Sequence, residues 1–302
     1  MTLAPRVVVV HRRTEREQIV REQGTWEQAK FQAKLRKSYG ALSAVAERYD
    51  ASERALQTVS AAIPSAWRRG AVEREDLDRF LFEPEDVVVV VGQDGLVANV
   101  AKYLDGQPVI GIDPNPGSGL GVLVRHKAGD CGRLLQSVTD GRAAEQRRTM
   151  VEAFVDSAAT GLTLTALNEI YLGSPTHQSA RYELTLPDGR TEAQSSSGLL
   201  AGTGTGATGW LLSVAKERGT SLSLPEPEAR GLGWFVREAW PSPTTGADLT
   251  EGVVQGDQAL TVLVRSDALV IFGDGMEADR IQLAWGQTVT ITPARRTLRL
   301  VV

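Results

Sequence analysis

Cysteine is nearly absent. Cys131 is the only one in 302 residues, which excludes an internal disulfide and a cysteine-based metal cluster and fits a reducing compartment. Histidine is scarce too: His11, His126 and His177 stand far apart, with no partner at zinc spacing, so surface or core roles are expected of them. No apolar stretch approaches the roughly 18 residues that suggest a bilayer span; the longest candidate, Val87 to Val91, stops at Gly92. Val7 to Val10 is ended at once by His11-Arg12-Arg13, so it reads as a strand and not as a signal peptide. Charge of one sign is lacking as well. Thirty-three Lys+Arg face 37 Asp+Glu, a net charge of -4, and nothing drives the chain as a whole toward nucleic acid or anionic membrane. A soluble, cytoplasmic protein is expected, with neither nucleic acid nor membrane as partner.

What is present is enough for a real core, since 42% of residues are hydrophobic and 23% charged. The length exceeds what one core usually fills, so two domains are expected. From Arg12 to about Ile63 the chain is proline-free and charged, with Leu35, Tyr39, Leu42 and Val45 at helical intervals. Asp86 to Val91 is β-branched and apolar throughout, the pattern of a parallel strand buried on both faces. A helical stretch from Leu96 to Leu104, an apolar strand from Pro108 to Ile112 and a loop from Asp113 to Gly121 complete an α/β unit whose working edge lies where the strands end. Arg142 to Asp156 reads as one more helix. Short apolar or alternating runs follow: Leu162 to Glu169, Ala180 to Leu186, Leu260 to Val264, Leu269 to Phe272, Thr288 to Ile291 and Leu298 to Val302. They are punctuated by turns such as Pro187-Asp188-Gly189 and Gly273-Asp274-Gly275. The expectation is an α/β N-terminal domain over residues 1–126 and a β-rich C-terminal domain over 127–302.

Three segments could carry chemistry. Gly92-Gln93-Asp94-Gly95 ends a buried strand; glycines there let backbone N–H groups approach phosphate, with Asp94 facing whatever binds beyond the edge. The plainer alternative is a tight turn in which Asp94 caps the next helix. Asn168-Glu169 places an amide beside a carboxylate, a pair that can hold adjacent ribose hydroxyls, or can simply be a polar strand end in water. Ser197 to Trp210 alternates glycine and threonine and then opens a helix at Trp210, offering donors for phosphate or ribose and an indole for stacking. It is no Walker A loop, because no Gly-Lys-Ser/Thr follows the glycines.

The order of these segments resembles the NAD kinase family, in style the mitochondrial type of animals. Gly92 to Gly95 takes the place of the family's Gly-Gly-Asp-Gly, Ala166 to Glu169 that of Ala-Leu-Asn-Glu, and Thr203 to Trp210 that of its glycine and threonine segment. Val109 to Asp113, Val236-Arg237-Glu238 and Leu269 to Leu300 continue the likeness. The resemblance implies an NAD kinase-like two-domain architecture and a kinase that moves the terminal phosphate of ATP to the 2'-hydroxyl of the adenosine ribose of NAD, giving NADP. It implies Asp94 as the base, with Gly92, Gln93 and Gly95 at the phosphates. Asn168, Glu169, Thr205, Thr208, Gly209, Trp210 and Ser213 would lie around the dinucleotide. Magnesium would arrive with ATP, no protein metal site is implied, and a homodimer or homotetramer is. Gln93 for glycine, Leu96 for threonine, Ser197 for aspartate, Asp113 for asparagine and Ala207 for serine are departures. They keep two alternatives in play, a kinase of the same superfamily acting on another hydroxyl and a non-catalytic nucleotide-binding protein. Arg147-Arg148 and Arg295-Arg296 are expected to be solvated pairs, Trp234 and Trp240 core or interface, and Cys131 a small buried hydrophobe.

Overall fold

The structure is a computed structural model that describes residues 5–35, 39–117, 119, 121–156 and 161–302. Parts of the expected helical region (36–38) and of the expected loop (118 and 120) lie outside the described residues. The chain divides into two compact units, Met1–Gln146 with Arg299–Val302, and Arg147–Leu298. The second unit thus begins at Arg147, whereas composition changes near Lys127.

The first unit is built on β1 (Arg6–His11), followed by α1 (Glu15–Gln23), α2 (Trp26–Leu35) and α3 (Tyr39–Ala62). Then come β2 (Arg68–Glu73), β3 (Val87–Val91), α4 (Asp94–Ala101), β4 (Pro108–Ile112) and α5 (Cys131–Thr139). The strands run parallel in the order β2-β1-β3-β4, and Arg299 and Leu300 pair in parallel with Pro108 and Val109. Every residue of β3 and β4 is buried, as expected for strands covered on both faces. On one face Val7, Val87, Val89 and Ile110 pack with Ala55, Val59 and Ile63 of α3 and with Cys131, Leu134 and Leu135 of α5. Cys131 is a buried hydrophobe whose thiol pKa is pushed up to about 11 by burial. α1 starts at Thr14, whose hydroxyl accepts from the Glu17 N–H while the Glu17 carboxylate accepts from the Thr14 N–H, a capping box.

The second unit contains β5 (Glu145–Val155), β6 (Leu162–Ala166), β7 (Glu169–Gly173), β8 (Ala180–Thr185), β9 (Thr191–Ser196) and β10 (Gly198–Gly202). After α6 (Trp210–Arg218) come β11 (Gly231–Arg237), β12 (Glu251–Gln255), β13 (Leu260–Val264), β14 (Leu269–Gly273), β15 (Ile281–Leu283) and β16 (Thr288–Val301). One antiparallel sheet has the order β12-β11-β10-β7-β14-β15; β16, β13, β8 and β9 follow one another in a second, where β5 pairs with β6 and β16. Alternate residues such as Ile170 and Leu172 of β7, Tyr182 and Leu184 of β8 and Val262 of β13 meet in one core. The α/β N-terminal part and β-rich C-terminal part read from the sequence are what the structure shows.

Three expectations need correction. Arg142 to Asp156 is not a helix: β5 occupies it, because Val151, Ala153 and Val155 recur with period two in the core and pair with β6, Val151 opposite Ala166. The helix lies earlier, at α5, where Cys131, Leu134, Leu135 and Val138 recur at helical spacing. Thr288 to Ile291 and Leu298 to Val302 are the two ends of the single strand β16. Arg147-Arg148 is not a solvated pair, since Arg148 is only 1% exposed. Trp234 belongs to the core, and Trp240 is exposed. Among the described residues no helix is long and apolar enough to cross a membrane.

Candidate functional site

Two candidate site regions, one in each unit, are built in different ways. In the first unit Gly92 leaves β3 with its N–H donating to the Ile112 carbonyl at 3.1 Å. Gln93 is the helix N-cap without a side-chain cap bond, and Asp94 is the first residue of α4. Asp94 therefore does not cap its helix in the ordinary sense. Its Oδ2 accepts the Val122 N–H at 3.0 Å, and its Oδ1 accepts those of Leu123 at 2.8 Å and Val124 at 3.0 Å. A carboxylate has about four lone-pair directions, so the side chain is fixed in orientation and keeps one of them free. Gln93 and Gly95 are exposed. A β-carbon at Gly95 would meet nothing within 4 Å, so nothing among the described residues demands glycine there.

In the second unit Asn168 and Glu169 form the corner between β6 and β7. The corner is held from beneath by Asp274, which follows β14 with the left-handed φ of 52° and tolerates it because a short Asx side chain bonds locally. Its Oδ2 accepts from the Leu167 N–H at 2.8 Å and its Oδ1 from the Asn168 N–H at 2.7 Å; the Asp274 N–H donates back to the Glu169 carbonyl at 3.1 Å. From the other side Thr203 donates its hydroxyl to the Leu167 carbonyl at 2.6 Å and its N–H to the Asn168 carbonyl at 2.8 Å. The same hydroxyl accepts from the N–H groups of Thr205 and Gly206. A β-carbon at Gly206 would collide with the Asn168 carbonyl oxygen, so this glycine is required by close backbone approach.

The corner's backbone is thus fully engaged, while among the described residues neither the Asn168 amide nor the Glu169 carboxyl has a hydrogen-bond partner. Burial, and secondarily the negative charge of Asp274, push the Glu169 pKa up to about 8. In the turn that follows Thr203, Thr205 is 2% exposed, and its Oγ1 also lacks a partner among the described residues, an uncommon state for a buried hydroxyl.

The remaining expected residues divide. The Thr208 hydroxyl donates to the Thr205 carbonyl at 2.9 Å and the Gly209 N–H to that of Gly206 at 3.0 Å, closing a single turn before α6. Trp210 stacks on Tyr171, 5.6 Å between centroids and 22° between planes, with the Arg237 guanidinium 5.5 Å from the indole. The ring is held by neighbours of its own chain. Ser213 stands apart: it is exposed and its hydroxyl turns back to the Gly209 carbonyl at 3.3 Å. In the sequence Thr203 has only a place within the glycine and threonine segment, and Asp274 only a place in a turn; neither is assigned a role at the site. Gly273-Asp274-Gly275 is legible as a turn, but its bonds reach more than 100 residues back, to Leu167 and Asn168. Among the described residues no three His, Cys, Asp or Glu side chains are grouped to hold a metal ion.

No family model matches the chain. It is similar to the NAD kinase of Pseudomonas fluorescens, 28% identical over 231 residues that make up 74% of this chain and 72% of that protein. Shorter matches run to the NAD kinases of Chlorobium phaeobacteroides, 30% over 130 residues covering 43% of this chain and 45% of the relative, and of Pectobacterium atrosepticum, 32% over 155 residues covering 49% of each. Among solved structures, yeast NADH kinase in complex with NADH superimposes with a TM-score of 0.66 at 14% identity, covering 100% of this chain and 84% of that one. That likeness establishes the shared fold.

Proposed function

We propose that the protein is an NAD kinase that transfers the terminal phosphate of ATP to the 2'-hydroxyl of the adenosine ribose of NAD, releasing NADP and ADP. The observation that carries the reading is the corner at Asn168 and Glu169: a rigid backbone presents an amide and a carboxyl, and the turn that holds the corner adds the Thr205 hydroxyl, all without a hydrogen-bond partner among the described residues. That set suits a vicinal diol, whose hydroxyls both donate and accept. The similarity to NAD kinases points to the same acceptor.

Asp94 is assigned the proton of the attacking hydroxyl. Phosphoryl transfer asks the protein mainly for positioning and charge stabilisation, and a carboxylate pinned by three backbone donors is already oriented. Gly92, Gln93 and Gly95 would receive phosphate oxygens at the start of α4. Thr208, Gly209 and Trp210 would border the dinucleotide, with magnesium entering on ATP and neutralising the phosphates. A cytoplasmic homodimer or homotetramer belongs to the same proposal. Placement with the mitochondrial type of animals rests on Val236-Arg237-Glu238 alone, while the relatives matched in sequence above are bacterial.

The test is formation of NADP from NAD and Mg-ATP by the purified chain. Turnover that disappears in Asp94→Asn with the fold retained supports the reading; full activity in that variant removes Asp94 from its role. The three donors on Asp94 also favour a second reading, a nucleotide-binding protein without turnover, which the same assay separates by NAD binding without ATP consumption.

A further inference from the structure

A cavity of about 650 Å³ opens in the second unit between the loop that joins β7 to β8 and the turn that joins β13 to β14. Its volume lies within the range of small-molecule sites. β7 and the antiparallel β14 beside it both run from this cavity to the corner described above. Ser174, in the cavity wall, follows Gly173 at one end of β7, and Glu169 opens the other end, about 13 Å away along an extended strand. The cavity is therefore separate from the site at Asn168 and Glu169.

Its rim is held in shape by its own chain. The Arg181 N–H donates to the Ser266 Oγ at 2.9 Å, while the Ser266 hydroxyl at 3.3 Å and the Arg265 N–H at 2.9 Å both donate to the Arg181 carbonyl. In the loop the Thr176 N–H donates to the Ser174 Oγ at 3.2 Å and the Gln178 N–H to the Thr176 Oγ1 at 3.4 Å. A ligand would meet a wall that needs little ordering. The side chains decide what it can take. Arg265 is shared with Glu183 at 3.4 Å and lies 5.8 Å from the Trp285 ring centroid. The exposed Arg181 guanidinium has no partner among the described residues, and His177 stands in the same wall. Among the described residues lining the cavity, Asp267 is the one carboxylate. A free guanidinium fork suits phosphate oxygens, but inorganic phosphate would fill only a small part of the space. The rest of the wall is the Gln178 amide and the hydroxyls of Ser174, Thr176, Ser179 and Ser266, with Pro175 and Ala268 as its apolar residues. That lining gives a nucleobase no broad apolar face, whereas the hydroxyls of a sugar, which both donate and accept, match it.

We propose that this cavity is a second binding site, apart from the reaction, that takes a phosphorylated sugar or polyol with its phosphate on Arg181 and its hydroxyls against the loop at 174–179. Such a site stands whether or not NAD is phosphorylated at the corner. Arg181 lies outside the residues assigned to chemistry and its guanidinium supports no other part of the described fold, so its replacement tests binding without disturbing either.

The experiment titrates glucose 6-phosphate, glucose and inorganic phosphate by calorimetry into the whole chain, as wild type, Arg181→Ala and Arg181→Lys, with thermal unfolding as a check on folding. The wild type should bind glucose 6-phosphate about tenfold or more tightly than either glucose or phosphate. Arg181→Ala should lose about tenfold or more of that affinity, and Arg181→Lys, which keeps the charge without the fork, should lose less. Saturating NAD should leave the glucose 6-phosphate affinity within about twofold. Hydrogen exchange of the wild type, which needs no variant, should slow on adding glucose 6-phosphate at the backbone amides of 174–181 and 265–268. No binding of glucose 6-phosphate, inorganic phosphate bound equally well, unchanged affinity in a folded Arg181→Ala, displacement by NAD, or protection confined to other segments would overturn the proposal.

Discussion

The turn at Asp94 and the corner at Glu169 use acidic side chains in opposite ways. Asp94 spends its carboxylate on its own chain, gathering three backbone donors from Val122 to Val124 and leaving one direction for anything else. At the corner the backbone is held by Asp274 and Thr203, and the Glu169 carboxyl is left without a partner among the described residues. The glycines differ in the same sense. Gly206 is glycine because the Asn168 carbonyl occupies the space of a side chain, whereas Gly95 faces open space. One region is therefore a fixed charge beside an open approach, and the other is a tight backbone frame around unsatisfied side chains.

The largest effect expected of breaking this contrast is in Asp94→Asn. An amide cannot accept from all three N–H groups, so the loop at 122–124 should loosen at a cost of about 2 kcal/mol, read as a lower unfolding midpoint. NADP formation should fall by about three orders of magnitude.

Gly206→Ala comes next. Its β-carbon must push Asn168 aside, so unfolding stability should drop by about 2 kcal/mol and KM for NAD should rise about tenfold. The counterpart, Gly95→Ala, replaces an exposed glycine in the first turn of a helix and should leave stability unchanged or raise it by up to about 1 kcal/mol. If glycine is there to admit phosphate, KM for ATP should rise while KM for NAD holds. Equal responses of the two variants in stability would erase the distinction.

The remaining effect is on pH dependence. The Glu169 pKa is raised from 4.5 to about 8 by burial and then by Asp274, so between these values the unfolded chain has lost a proton that the folded chain keeps. Stability from this group is fully present below pH 4.5, declines as pH rises through the window, and levels off above about 8. Glu169→Gln, which mimics the protonated acid, should remove that decline in denaturant titrations across the pH range while changing midpoint stability little in acid. An unaltered pH slope would mean that Glu169 is solvated and ordinary.

How much of this could be read from the sequence follows from how local each signal is. Val87 to Val91 announces a strand buried on both faces, because five β-branched residues in a row suit no exposed element. Asn168-Glu169 and the step from glycine and threonine into Trp210 are likewise visible as short patterns. β5 is not legible locally, because Arg147 to Phe154 mixes charge with apolar residues at spacings compatible with either period, and its buried Arg148 reads as solvent-facing until the partner strands are known. Asp274 could be seen as a turn residue, but not as the support of a corner more than 100 residues away. The three donors on Asp94 come from a loop about 30 residues further on, and no local motif encodes them.

The central claim is that the corner at Asn168 and Glu169 is where the acceptor dinucleotide is held. It is tested most directly by calorimetric titration of NAD, and separately of Mg-ADP, into wild type and Asn168→Ala. The account predicts that NAD affinity falls by about tenfold or more while Mg-ADP affinity stays within about twofold; NAD bound equally well by both proteins would contradict it.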